Sequence, residues 1–207
     1  MFITFEGGEG AGKSTLSKKV FDELMRSHEV LMTREPGGTP FGEEVRHLLL
    51  HHQTDKTTPF QVCAKAELFL FEAARVQHIE EVIKPALAQK KIVLCDRFSD
   101  STIAYQGAGR SLGTDFVKQC DALATGGLKP ELTFFVDIDP EIGLARVRSR
   151  SDVKDRIEDE ALAFHKRVRE AFQILARESQ GRIVVLDGTL SEQELFNLAM
   201  THIQRVL

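Results

Sequence analysis

The chain has no tryptophan and a single tyrosine, Tyr105, against 14 phenylalanines in 207 residues. Its three cysteines, Cys63, Cys95 and Cys120, are an odd number and form no C-x-x-C pair. A disulfide framework or a cysteine zinc site is therefore not expected; three reduced, mostly buried thiols in a reducing compartment are. No apolar run approaches the roughly 18 residues that cross a bilayer. The start, Met1-Phe2-Ile3-Thr4-Phe5-Glu6, lacks the basic region of a signal peptide. A cytoplasmic protein with no membrane partner is expected. Positive charge is not in excess: Lys+Arg number 27 against 31 Asp+Glu, a net charge of −4. That argues against a nucleic-acid partner, while leaving room for a local basic pocket. Repeats, low-complexity stretches and a Pro/Gly/Ser-rich linker are also absent, so residues 1–207 are expected to form one domain.

What is present is the balance of a soluble globular chain, with 42% apolar and 28% charged residues, enough to bury a core without staples. Five short runs rich in β-branched and aromatic residues read as strands: Phe2–Glu6, Val30–Arg34, Ile92–Asp96, Leu132–Ile138 and Ile183–Asp187. Continuous apolar runs of this kind are expected to be buried on both faces. Helical spacing is seen from Ser14 to about Arg26, from Lys65 to about Gln89 with a kink near Pro85, and from Ile157 to about Glu178. A last helix runs from Ser191 to Val206, with Ser191-x-x-Glu194 as its capping box. The alternation implies an α/β fold: a five-stranded parallel sheet with helices on both faces. Such sheets bind ligands at the carboxyl ends of their strands.

Directly after the first strand stands Gly7-Gly8-Glu9-Gly10-Ala11-Gly12-Lys13-Ser14, a G-x-x-x-x-G-K-[ST] phosphate loop. Glycines let the backbone wrap a phosphate with its N–H groups inward, and the following helix adds its positive dipole end. Lys13 is placed to reach the β- and γ-phosphates, and the Ser14 hydroxyl to hold Mg²⁺. The loop implies a purine triphosphate with Mg²⁺ in a P-loop NTPase fold. Asp96, at the end of the third strand, is where such a protein holds the metal; it could also cap the next helix. Arg97 beside it suits a second phosphate.

A guanine-reading switch would carry N-K-x-D, which is missing, and a motor would usually be larger. Arginines favour a kinase with two adjacent phosphate sites. Arg34 ends the second strand, Arg46 follows on the next helix, and Arg97 follows the third strand. Arg146, Arg148, Arg150 and Arg156 crowd one segment; it could be a charged helix face, but Ser151, Asp152 and Asp155 suggest a break, so it is read as a basic mobile lid over about residues 146–157. His47 and His51 have helical i,i+4 spacing, but without a glutamate between them or a further ligand they read as polar helix surface.

Several strings resemble the bacterial thymidylate kinases of the nucleoside monophosphate kinase fold. They are Phe5–Ser14, Thr33-Arg34-Glu35-Pro36-Gly37-Gly38-Thr39, Phe71-Glu72-Ala73-Ala74-Arg75 and Asp155-Arg156-Ile157-Glu158. The most specific is Asp96-Arg97-Phe98-Ser99-Asp100-Ser101-Thr102-Ile103-Ala104-Tyr105-Gln106-Gly107. The resemblance implies ATP + dTMP → ADP + dTDP with Mg²⁺, on the way to dTTP, in a homodimer. It implies that ATP is bound by Gly7, Gly8, Glu9, Gly10, Ala11, Gly12, Lys13, Ser14 and Thr15, with Asp187 and Thr189 near the adenine. On the dTMP side it implies that Phe71 stacks on thymine, Arg75 and Gln106 read its edge, and Tyr105 crowds the 2′ position. Glu9 would contact the 3′-hydroxyl. Arg34, Arg46 and Arg97 would hold the monophosphate, with Pro36 and Ser101 alongside. The catalytic set would be Lys13, Arg97 and the lid arginines Arg148, Arg150 and Arg156, with Ser14 and Asp96 at the metal. Alternatives are a kinase for another monophosphate such as UMP, or less favoured, a P-loop NTP hydrolase or switch.

Overall fold

In the computed structural model, which describes residues 1–50, 62–149 and 156–207, the five apolar runs form one parallel sheet. The strands are β1 (Phe2–Gly7), β2 (Val30–Arg34), β3 (Ile92–Asp96), β4 (Leu132–Asp137) and β5 (Ile183–Asp187), in the order β2-β3-β1-β4-β5. The central β1 lies between β3 and β4, so the phosphate loop leaves the sheet where the strand order reverses, the crevice that binds ligands in open α/β sheets. The register sets Asp96 beside both Phe5 and Arg34. The chemistry-bearing ends of β1, β2 and β3 are thus level with one another.

β1, β3 and β4 are buried almost throughout, as their composition predicts. β2 and β5 are not: they form the sheet edges and stay partly exposed, because each has a strand on one side alone. Helices cover both faces. Leu16 and Val20 of α1 (Lys13–Leu24) and Ala199 and Ile203 of α9 (Glu192–Ile203) pack on Ile3, Phe5 and Phe134. On the other face Leu49 of α2 (Pro40–Leu50), Leu68 of α3 (Ala64–His78) and Val168 and Phe172 of α8 (Leu162–Glu178) pack around Phe135. Phe135 and Phe172 stack at 5.0 Å; truncating either ring would cost about 3–5 kcal/mol.

The long helix expected over 65–89 is three pieces. α3 runs into a π-helical turn, Ile79–Ile83, and then α4 (Lys84–Ala88). Pro85 cannot donate, and its ring opposes the carbonyl one turn back, so the ladder widens ahead of it. The Lys84 N–H accordingly reaches back five residues to the Ile79 carbonyl.

After β3, α5 (Ser99–Thr102) passes into a second π-helical turn, Ile103–Gly109. α6 (Thr114–Thr125) and α7 (Pro140–Arg148) were not anticipated from the sequence. α7 carries a visible start signal: Asp139 accepts from the Glu141 N–H, and Pro140 occupies the first turn. The loop expected from residue 146 onward is therefore corrected. Arg146 and Arg148 form the last turn of α7, where cations complement the helix dipole. The rest of that segment, 150–155, and His51 lie outside the described residues. The helix expected from Ile157 begins at Leu162. The Ser191–Glu194 capping box is present as read. The cysteines are free, but Cys95 alone is buried; Cys63 is exposed and Cys120 half-buried. Among the described residues, no helix is long and apolar enough to cross a membrane.

Candidate active site

The phosphate loop is shaped by backbone packing as much as by its glycines. Gly10 has φ +66°, and a Cβ there would lie 2.1 Å from the Gly143 carbonyl oxygen of α7. The contact is mutual, since a Cβ on Gly143 would lie 2.2 Å from the Glu9 carbonyl oxygen. Only two glycines let loop and helix approach this closely. Behind the loop, the Gly7 carbonyl accepts from Arg97 (3.0 Å) and the Gly8 carbonyl from Lys13 Nζ (2.7 Å). Burial, followed by the neighbouring Arg97, pulls the Lys13 ammonium down to about 8. An arriving phosphate would oppose that shift. Ser14 Oγ donates to Asp96 Oδ2 over 2.6 Å, joining the loop to the end of β3.

Arg97 has φ +69°, a left-handed conformation uncommon for a side-chain-bearing residue. Fixed neighbours hold it there. Its guanidinium donates to Glu9 Oε1 (2.7 Å), Ser101 Oγ (3.2 Å) and the Gly7 carbonyl, and lies 4.9 Å from the Tyr105 ring centre. Glu6, fully buried in β1, accepts from the Phe98 N–H (2.8 Å) and from Ser101 Oγ, pinning the turn after Arg97. Burial and then the nearby Asp100 push the Glu6 carboxyl up to about 8. For Glu9, burial would raise the carboxyl, but Arg97, Lys13 and the Tyr105 hydroxyl outweigh it and hold it at about 2. Tyr105 donates to Glu9 over 2.7 Å, and burial drives its phenol well above the ordinary value.

From this junction a cavity of about 840 Å³ opens across the ends of β1–β3. Glu9, Gly10, Ala11, Gly12, Lys13, Ser14 and Thr15 line one end. Arg34, Pro36, Arg46, Phe71, Arg75, Asp96, Arg97, Ser101, Tyr105 and Gln106 line the remainder, with Glu35 and Thr102. Phe71 is half-buried at the cavity wall rather than part of the closed core. Arg34 pairs with Glu43 (3.0 Å), and Arg46 donates to the Pro36 carbonyl (3.0 Å).

Arg75 is held in a buried cage. Its Nε donates to Glu35 (2.8 Å), Nη1 to Glu72 (3.1 Å) and Asp121 (3.0 Å), and Nη2 to Thr102 (2.9 Å). Burial works against its charge, but the three carboxylates reverse that and raise its pKa. Glu35 also meets His78 Nδ1 (2.9 Å), whose Nε2 lies 2.6 Å from Thr33 Oγ1. Burial raises Glu72 to about 7, against the pull of Arg75.

Some anticipated residues lie apart. Asp187 and Thr189 form an exposed turn, Thr189 Oγ1 donating to Asp187 (2.7 Å), and Arg146 secures it through the Gly188 carbonyl (3.1 Å). Arg148 is exposed at the end of α7, and Arg150 lies outside the described residues. Arg156 does not point at the phosphate loop: it donates to the Leu49 carbonyl (2.9 Å) and to Glu67. Sequence reading missed Glu6, Glu35, Glu67, Thr102, Asp121 and His78. One signal was available, because Glu67, Phe71 and Arg75 share a helix face at four-residue spacing.

A phosphate loop, a strand-end aspartate beside its serine, and a second arginine-lined pocket in the same cavity define a P-loop nucleotide-binding protein with room for a second phosphate-bearing ligand. Comparison narrows the class. Residues 5–198 match the family model "Thymidylate kinase". The chain is 47% identical to the thymidylate kinase of Protochlamydia amoebophila over 98% of this chain and 92% of that protein. It is 44% identical to that of Lactobacillus helveticus over 100% and 96% of the two chains. The crystal structure of thymidylate kinase from Ehrlichia chaffeensis superposes with a TM-score of 0.76 at 33% identity, covering 98% of each chain. The chain belongs to the thymidylate kinase family.

Proposed function

We propose that this cavity carries phosphoryl transfer from ATP, held at the phosphate loop, to dTMP, held between Arg97 and the Phe71–Arg75 wall. The chain is an ATP-dependent dTMP kinase. The observation that carries the placement of the two substrates is Arg97. It is fixed to the phosphate loop by its bonds to Gly7 and Glu9 and to the acceptor half of the cavity by Ser101 and the Tyr105 ring.

A monophosphate, with its second ionisation near pH 6, is mostly dianionic at neutral pH by analogy with phosphorylated side chains, so no general base is needed. The residues' work is alignment and charge neutralisation. Lys13 and Arg97 offset the repulsion between the two anions, with Arg34 and Arg46 on the acceptor phosphate. Phe71 gives the base an apolar face, and Glu9, ionised and held by Tyr105, accepts from a sugar hydroxyl. The Ser14–Asp96 pair suits Mg²⁺: Asp96 Oδ1 is buried without a hydrogen-bond partner beside a hydroxyl of the phosphate loop. Bound there, Mg²⁺ would neutralise charge on the β- and γ-phosphates.

A homodimer is supported by apolar side chains left uncovered on α3 and α6. Phe69 and Val76 are exposed one heptad apart on α3, and Phe116 and Leu123 likewise on α6, which packs against it. Leu123 is 87% exposed. A single domain spanning 1–207 in the cytoplasm completes the reading.

The test is ADP release from Mg-ATP with dTMP, dUMP, UMP, dCMP, AMP, GMP or no acceptor. Turnover strongest with dTMP and weaker with dUMP is expected. Turnover with UMP equal to that with dTMP would remove the roles of Tyr105 and Gln106, and acceptor-independent release would replace the kinase by a hydrolase. Sedimentation is expected to give a dimer that Leu123→Glu converts to monomer.

A further inference from the structure

Glu67 is 0% exposed on α3, yet it is not part of the cavity wall. It collects three donors from two parts of the chain. Oε1 accepts from Gln106 Nε2 (2.8 Å) and Arg110 Nε (3.0 Å), and Oε2 accepts from Arg156 Nη2. Arg156 is tied down further, through its Nε to the Leu49 carbonyl and its backbone N–H to the Leu50 carbonyl (3.3 Å). Burial works to raise the Glu67 carboxyl, but Arg110, Gln106 and Arg156 together outweigh it and lower its pKa. A carboxylate so held can only accept hydrogen bonds.

We propose that Glu67 is a positioning residue for base selection: it fixes the side-chain amide of Gln106 with nitrogen inward and oxygen toward the cavity. The amide nitrogen and oxygen look alike in shape but opposite in hydrogen-bonding sense, so an unconstrained glutamine would serve as donor or acceptor. Glu67 removes that choice. Among the described residues the Gln106 oxygen accepts from none, which leaves it for the ligand. Arg75 completes the pattern. Four of its five N–H donors are used by Glu35, Glu72, Asp121 and Thr102, so one remains. An acceptor from Gln106 and a donor from Arg75 match a ring N–H next to a carbonyl, the edge of a 4-oxopyrimidine. A 4-aminopyrimidine presents the reverse pattern and would leave both protein groups opposed. Through Arg156 the same carboxylate ties the base-reading amide to the end of the arginine-rich segment.

This inference rests on Gln106 facing the base, and the experiment separates the two. The full chain is assayed for kcat/KM with dTMP and with 5-methyl-dCMP, which differ in the 4-substituent and the ring N–H. Gln106→Leu is expected to reduce the preference for dTMP; an unchanged preference would overturn the base-facing reading and this proposal with it. Glu67→Ala is expected to reduce the preference about tenfold or more. Glu67→Gln is expected to restore the preference in part, because its amide oxygen can still accept from Gln106 and Arg110, while its nitrogen, a donor, gives up the bond from Arg156. A folded Glu67→Ala that loses activity equally on both substrates, with Gln106→Leu still selective in its effect, would overturn the role of Glu67 alone. Side-chain amide NMR of the unaltered protein tests the same contact without a substitution. One Gln106 amide proton is expected to be protected from exchange; free exchange of both would overturn the proposal.

Discussion

Tyr105 Oη donates to the same Glu9 oxygen that accepts from Arg97, each over 2.7 Å. One oxygen of the phosphate-loop glutamate is thereby committed to the protein, and the geometry of the other follows from it. The single tyrosine of the chain thus has two parts with separable work: a ring that occupies space and a hydroxyl that orients a carboxylate.

Tyr105→Phe separates them. Losing a hydrogen bond to a charged group should raise KM for dTMP about tenfold. Preference for the deoxy over the ribo form of the acceptor should persist, because the ring remains. Steady-state kinetics with dTMP and 5-methyl-UMP check both; equal loss of sugar preference would assign that preference to the hydroxyl.

Asp96→Asn keeps an acceptor for Ser14 Oγ and removes the charge beside the phosphate loop. The Mg²⁺ concentration for half-maximal rate should rise roughly 10–100-fold. Chelation with EDTA should abolish turnover in both proteins. An unchanged Mg²⁺ titration would take Asp96 out of the metal site.

The arginines expected to form the lid should divide by role. Arg150→Ala should lower kcat about 10²–10³-fold with a far smaller effect on dTMP binding, the pattern of a charge felt in the transition state. Arg156→Ala should act on stability, costing about 1–3 kcal/mol, because its guanidinium is bonded to Leu49 and Glu67. Rapid-quench kinetics and urea unfolding distinguish the two effects.

Glu6 predicts a pH dependence of stability. Its folded pKa, about 8, lies above the ordinary 4.5, so the folded state binds the extra proton. Its contribution is fully present below about pH 4.5 and is lost as pH rises through about 8. Glu6→Gln can keep both contacts, accepting from the Phe98 N–H and donating to Ser101 Oγ. It should therefore flatten the decline in Tm between pH 5 and 9. A variant with the same slope as the parent would assign that slope to other groups.

The phosphate loop was readable from sequence because its chemistry is carried by consecutive backbone N–H groups between a strand and a helix. The strands were readable for a similar reason, since burial of β1, β3 and β4 imposes apolar runs. Asp96 and Arg97 were found because strand ends mark the ligand edge of a parallel sheet. The two π-helical turns were not, as i→i+5 bonding leaves no distinctive composition; Tyr105 and Gln106 are carried by one of them. The partners of Arg156, the Leu49 carbonyl and Glu67, were not legible for a different reason: a charged residue in a basic segment looks the same whether it is solvated or held against a glutamate.

Local sequence thus determined the parallel sheet, the triphosphate loop and the residue types at its rim. Tertiary structure alone decided how those residues are held. Arg75 meets Glu35 and Asp121, 40 and 46 positions away, and Glu67 meets Gln106 at a separation of 39. A buried ionic group must find its partners in space. Which carboxylate it finds, and hence which donor or acceptor is left for the ligand, is set by helix packing that no local pattern encodes.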